Sequence, residues 1–449
     1  MKIAAVRFIK ALVALLVALL LLHTSLLILS GLSLRNAYKE LRQAGRPIGA
    51  ADIIPPPVPA GENAAPLYTS AFALLDAKTI GEEPLFSRLA QAARDFSGEP
   101  ESEEKQAALE QLLGLEDVAR ALEMIEQASA RPKCNFNLQY DQGAALLFPH
   151  VNGMLKISRI LAARTKLEAR RREGDRAWSA VETNLRMADA LRDEPALISA
   201  LVRIAIFQAA LTSAREAADL AAPDDQTAAR LMARLATADD PAPYVLAMDG
   251  ERILMGEWAF NHVRTQKFFD CLGMEGEACN WKMQLYNLLI GYRPARQADQ
   301  ATYLRAMGEV AQRAARPYWE SPVEPDREWD RAMPWYGAIS RLILPALGQS
   351  RIRAATLQAE VRITRAGLAM IRYKTAQGRY PATLDELVPA FLDEIPRDPF
   401  TGEPLVYRPE GDGFVLYSLG QNQQDDGGTA ESPDNRDTKT FDIVWRRAR

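Results

Sequence analysis

The feature that most limits what this chain can become is the run from Ala11 to Leu34, which contains no charged residue. At about 24 residues it is long enough, as a helix, to cross a hydrocarbon layer of roughly 30 Å. Lys2, Arg7 and Lys10 precede it and favour a cytoplasmic tail over residues 1–10. Arg35, Lys39, Arg42 and Arg46 follow it, so the charge asymmetry is only moderate. The expectation is a transmembrane signal anchor over residues 11–34. A cleaved signal peptide is the competing reading, and the length of the run and the lack of an A-x-A site at its end weigh against it. His23 lies within the run, but beside Thr24 and Ser25 a neutral imidazole needs no special role.

Residues 35–60 read as a linker, because Ile53 to Ala60 (IIPPPVPA) is Pro-rich and favours an extended spacer that holds the next unit off the bilayer. That unit, residues 61–350, is rich in Ala, Leu, Arg and Glu at helical spacing and is large enough for its own core. Asn63 can cap a helix ending near Leu75, and Glu101 to Ala130 reads as one helix stopped by Pro132. Three more helices follow from Leu155 to Leu220, broken at Glu173-Gly174-Asp175 and at Asp193-Glu194-Pro195. Their lengths and short turns imply antiparallel neighbours, but no repeat of about 34 residues emerges. An irregular bundle or solenoid is expected.

The end of the chain is more specific. Leu357, Val361, Leu368 and Ile371 lie on one face of a helix over about Arg351 to Thr375, and Gly378 with Pro381 stops it. Thr383 and Glu386 have capping-box spacing for a short helix from Leu384 to Leu392. Leu405 to Tyr407 and Phe414 to Ser418 flank Pro409-Glu410-Gly411-Asp412-Gly413, a hairpin turn, and Thr440 to Trp445 is a third strand. A helix on a small antiparallel sheet follows. The expected fold class is mainly α: a transmembrane helix, a large helical domain and a small C-terminal α+β unit over residues 351–449.

The order of motifs in that unit resembles the globular domain of type II secretion pseudopilins, closest to the major, G-type subunit. The residues that carry it are Gly378, Tyr380, Pro381, Leu384, Leu387, Pro396, Asp398, Pro399, Pro404, Tyr407, Ser418, Gly420, Asp442 and Ile443. The resemblance implies a calcium ion in the loop after Ser418, held by Asp425, Asp426 and Asp442 with carbonyls near Leu419, since calcium takes some six to eight oxygen ligands. Asn422 stands where the family carries an aspartate, and the loop from Gly427 to Asp437 is longer than the family's. A solvated acidic loop is the alternative, because Asp, Asn and Gly are ordinary turn residues. The apolar N-terminal run lacks the family's glutamate and leading glycine, so fibre formation is not carried over. The resemblance implies a bacterial inner membrane, with the bulk of the chain periplasmic.

Chemistry is otherwise sparse. A net charge of −4 gives no attraction to nucleic acid, and Arg170, Arg171 and Arg172 read as a solvated helix face. No metalloprotease, nucleophile-elbow, Walker or dinucleotide motif is present. Cys271 and Cys279 could pair outside the cytoplasm, leaving Cys134 as a buried thiol. Five of the seven tryptophans, Trp258, Trp281, Trp319, Trp329 and Trp335, lie in one Pro-rich region, as an aromatic groove or as anchors for long loops. The first functional expectation is a non-catalytic, membrane-anchored envelope protein that docks a protein partner, linked to secretion or pilus-like machinery. The second is an envelope hydrolase of peptide or glycan in the Trp-rich region, with Glu251 and Glu257 beside Trp258, or Cys134 with His150, as reactive groups.

Overall fold

The structure is a computed structural model, and it describes residues 2–98, 102–262, 291–322, 333–429 and 441–447. Helix α1 (Lys2–Gln43) is unbroken and has two different halves. Its apolar side chains from Val6 to Leu22 are exposed, and its most apolar window has a mean hydropathy of 2.8 with none of it buried. It is thus apolar and long enough to span a membrane. Beyond Leu34 the helix turns amphipathic, and Ala37 and Leu41 are buried against α12 (Arg293–Ala314) with Tyr303, Leu304 and Met307. Gly308 makes the close approach possible, since a Cβ there would stand 3.0 Å from the Leu41 side chain.

The Pro-rich stretch is not the spacer that its composition suggests. Ile53 is buried with Tyr140, Leu146, Ile253 and Leu254, so this segment lies along the body. Proline lacks a donor but keeps its carbonyl. The Pro56 carbonyl accepts from the Asn135 side chain at 3.1 Å, and the Pro59 carbonyl from the Glu62 and Asn63 N–H groups.

The helical body runs through α2 (Ala65–Asp76), α3 (Leu85–Ser97), α4 (Glu103–Leu113), α5 (Glu116–Ser129), α6 (Pro149–Arg170), α7 (Gly174–Asp189), α8 (Leu197–Leu220) and α9 (Asp225–Ala238). The N-cap of α2 is Ala64 and not the expected Asn63, whose Oδ1 one residue earlier accepts the Ala65 N–H at 3.1 Å and the Asn135 N–H at 2.9 Å. The single helix expected from Glu101 to Ala130 is two, α4 and α5, parted at Gly114-Leu115, where Leu115 is extended. The break expected at residues 173–175 falls slightly earlier, at 171–173, with Gly174 and Asp175 already in α7, and the one expected at 193–195 lies within the gap 190–196. Helix α8 also has the length and hydropathy of a membrane span, but 61% of its window is buried between α6 and α7, which makes it the core helix of the body. Next come α10 (Ala242–Gly250), a π-helical turn (Glu251–Glu257), α11 (Trp258–His262) and, after α12, α13 (Ala338–Ile343).

Helix α14 (Gly348–Gln377) ends at Gly378, whose φ of 75° is the left-handed cap expected there, with its N–H on the Lys374 carbonyl at 2.8 Å. Besides a short hairpin of β1 (Thr79–Ile80) and β2 (Glu83–Pro84) before α3, the C-terminal sheet is antiparallel in the order β3 (Val406–Glu410), β4 (Gly413–Ser418), β5 (Ile443–Arg447); its third strand begins later than expected, and Thr440 falls outside the described residues. The short second helix shrinks to a 3-10 turn, Leu384–Leu387. Its capping box does not form, because the Glu386 carboxylate takes the Ala382 N–H, the Tyr373 hydroxyl and Arg379 instead.

One face of α14 carries the sheet, with Gly367 leaving the room that Trp445 fills. Its other flank lies on α8 and α9, tied by Arg362 to Asp239 (2.8 Å) and Arg372 to Asp225 (2.7 Å). One apolar core therefore runs from Tyr68 and Phe86 through α6–α8 to Leu416 and Trp445. The boundary drawn at residue 350 marks the start of a helix, not a gap in packing.

Candidate cation site in the C-terminal loop

The loop after β4 is organised by Asp398 of the P-x-D-P motif. This carboxylate is 1% exposed and accepts from the Ser418 hydroxyl, the Leu419 N–H and the Phe400 N–H, each at 2.8 Å. One buried aspartate thus fixes both the Pro-rich turn and the start of the acidic loop, which gives the motif its physical reason. Gly420 (φ 67°) then turns the chain beneath the Phe441 carbonyl. Gly427 and Gly428, also at positive φ, bring the loop back over Val415 and Tyr417, so β4 is buried on both faces.

The three carboxylates expected to bind calcium are held in different ways. Asp425 accepts the Tyr417 hydroxyl at 2.8 Å and the Gly427 N–H at 2.9 Å, and these bonds hold its carboxyl below the usual range. Asp426 accepts the Asn422 side-chain N–H at 2.9 Å. Asn422 thus braces the loop as a donor, which the family's aspartate could not do. Asp442 is 3% exposed, and its Oδ2 accepts the Gly428 N–H at 2.8 Å. Its Oδ1 is buried with no hydrogen-bond partner among the described residues. Burial pushes the Asp442 carboxyl up, the charges of Asp426 and Asp425 add to that, and the Gly428 and Asp426 N–H groups oppose it.

Among the described residues no group of three or more acidic, His or Cys side chains converges with metal-ligand geometry. The fit to a cation rests on the orphaned Asp442 oxygen and the two carboxylates that repel it. Residues 430–440, the longer part of the loop, lie outside the described residues.

The other candidates resolve into packing. Trp258 lies against Gly143 and stacks on His262, and Trp319 packs on Gly402 of the C-terminal unit. Trp335 is exposed, so these three line no common groove; Trp281, Trp329, Cys271 and Cys279 lie outside the described residues. Burial pushes the Cys134 thiol far up, the reverse of what a nucleophile needs. His150 instead meets Glu194 at 3.1 Å, and Glu194 accepts the Ser199 hydroxyl at 2.5 Å, a buried linkage that sequence reading took for a plain turn. The arginine cluster is a helix end and not a helix face: α6 stops at Arg170, which stands over the Phe96 ring, Arg171 pairs with Glu110 of α4 at 2.9 Å, and Arg172 follows in the turn.

Glu251 and Glu257 belong to a structural node. Glu257 accepts the Tyr38 hydroxyl of α1 at 2.7 Å and pairs with Arg252 at 3.1 Å. Arg252 is fully buried; it also meets Asp249 at 3.4 Å and donates to the Pro47 carbonyl, while Arg46 pairs with Asp249. Burial raises both Glu257 and Asp249, and it pushes Glu251 up to about 7. A carboxyl raised in the folded state gives stability that is complete below its unfolded value and lost as the pH rises through the folded one. Glu251→Gln is therefore expected to stabilise the chain above pH 7, on the order of 3 kcal/mol. Urea unfolding should show no gain once the pH is below the ordinary glutamate range.

No protein-family model, no curated protein and no solved structure matches the chain.

Proposed function

We propose that the chain is a non-catalytic, membrane-anchored protein of a bacterial envelope that presents a calcium-stiffened, pseudopilin-like unit to a protein partner in secretion or pilus-like machinery. The observation that carries this reading is the exposed apolar half of α1 joined to a body that ends in that unit. In this reading α1 crosses the inner membrane and the body lies on the periplasmic side. The C-terminal helix-on-sheet arrangement and the Asp398-centred turn support the resemblance, because the shared motif residues do structural work there.

Asp442, Asp425 and Asp426 would hold the cation, which supplies positive charge to a buried carboxylate that otherwise costs stability. The test uses the full chain, because a fragment starting at residue 351 would bare the flank of α14 that lies on α8 and α9. Calcium should raise the melting temperature over that in chelator, since a ligand held only by the folded state stabilises it by about 2.7 kcal/mol at a hundredfold excess over its dissociation constant. The rise should vanish in Asp425→Ala/Asp426→Ala. An equal response in that variant removes calcium from this loop.

A further inference from the structure

Helix α12 runs parallel to α1 and reaches far down it. The Glu40 carboxylate meets Arg305 at 2.8 Å, Ser30 meets Gln297 at 3.1 Å, and His23 meets the Tyr292 hydroxyl at 3.0 Å. The lowest of these contacts lies in the middle of the uncharged run. Only Ala11 to Leu22 then remain below it, about 18 Å of helix at 1.5 Å per residue, which is well short of a hydrocarbon core of roughly 30 Å. With the inner boundary at Lys10, the outer boundary falls near Ser30, and Tyr292 lies about 10 Å beneath it. If Arg7 and Lys10 snorkel and the span begins near Ile3, the boundary falls near His23 and Tyr292 lies at it. Tilting the helix only deepens both positions.

The side chains at this edge suit that depth. Tyr292 and Arg293 are exposed, a tyrosine with a cation able to reach phosphate. Trp335 is 70% exposed, as exposed as Phe8 of α1 and more than any other large aromatic side chain among the described residues. Its turn, closed by the Gly337 N–H on the Pro334 carbonyl, is held to α12 through Asp299, which accepts the Ile339 N–H at 2.9 Å and the Ser340 hydroxyl. Asp299 stands about 9 Å up the helix from Arg293, near the level of Ser30. An exposed indole on a turn tied to that level has the chemistry of an interfacial aromatic belt.

We propose that the body has a second membrane contact besides α1: the edge formed by Tyr292, Arg293 and Trp335 is seated in the headgroup layer of the leaflet on the body's side, with phospholipid as its partner. This rests on the reading that α1 spans the membrane. Phosphate meets Arg293, with Tyr292 beside it at the boundary of the acyl chains and Trp335, on the turn held farther up α12, among the headgroups above them.

The full chain is placed in phosphatidylcholine–phosphatidylglycerol vesicles whose acyl chains carry bromine either near the carbonyl end or near the methyl end. Tryptophan emission is then compared among the wild type, Leu16→Trp, Tyr292→Trp and Trp335→Phe. The indole added by Leu16→Trp should be quenched most by the deep bromines. The one added by Tyr292→Trp should be quenched most by the shallow bromines, and Trp335→Phe should lose part of the shallow quenching seen in the wild type. If Leu16→Trp goes unquenched, the anchor reading itself fails. If it is quenched while Tyr292→Trp is not, or while Trp335→Phe quenches like the wild type, the second contact alone is overturned.

Discussion

Replacing Arg252 with alanine is expected to destabilise the folded chain by about 3–5 kcal/mol, the range for removing one partner from a buried ion pair. The guanidinium is fully buried between Asp249 and Glu257, so its loss leaves Glu257 desolvated with only the Tyr38 hydroxyl and Asp249 with only Arg46. The same side chain holds the Pro47 carbonyl, and Glu257 holds Tyr38, so the damage should spread to the junction of α1 with the body. Limited proteolysis should then cut within residues 44–60, which the intact fold protects. Arg252→Met combined with Glu257→Gln should recover most of the loss, because a buried ion pair exchanged for neutral residues is often tolerated while Asp249 keeps Arg46 as its partner. A double variant no better than Arg252→Ala would mean that the arginine acts through its shape and not its charge.

The second large effect is expected where α14 meets the sheet. Trp445→Ala should cost about 3–5 kcal/mol, since the indole is 3% exposed and fills a slot in the shared core. The slot exists because residue 367 is glycine: a methyl there would collide with the six-membered ring of the indole. Gly367→Ala alone should therefore destabilise by about 1–3 kcal/mol through overpacking. In the Trp445→Ala background the methyl enters space already vacated, and the ordinary helical preference for alanine over glycine, about 1 kcal/mol, takes over. The sign of Gly367→Ala should thus reverse between the two backgrounds, as read from urea midpoints in a double-mutant cycle. Additive losses would place the tryptophan elsewhere.

What could be read from sequence followed from local rules. Helix α14 declared itself by spacing and by Gly378, the hairpin by Gly411 and its flanking strands, and α6 to α8 by their turn residues. What escaped depended on partners distant in sequence. The docking of α1 had a signal in Leu34, Tyr38 and Leu41 at helical spacing with small Ala37 between them, yet the charges around them read as the end of a membrane span. Arg252 carries no local sign of burial, because only the arrival of α1 and α12 removes it from water. The break at Gly114 is similar: a glycine costs a helix only about 1 kcal/mol, so packing decided whether the helix continued. In the acidic loop the sequence named the carboxylates. It could not tell that Tyr417, Gly427 and Asn422 already occupy two of them while Asp442 keeps an oxygen unmatched.

The docked second half of α1 also sets how the C-terminal unit meets anything else in the same membrane. A flexible tether spreads its cargo over a volume that grows with its length, and the effective concentration at a fixed partner falls accordingly. Here the first break in the chain is Gly45, beyond the helix, and the segment after it is bound to the body. With α1 across a bilayer, the acidic loop would keep one height and one facing relative to the membrane plane, leaving lateral diffusion and rotation about the membrane normal as its means of search. A partner in that plane would meet the loop at nearly constant geometry, and little ordering entropy would remain to be lost on binding.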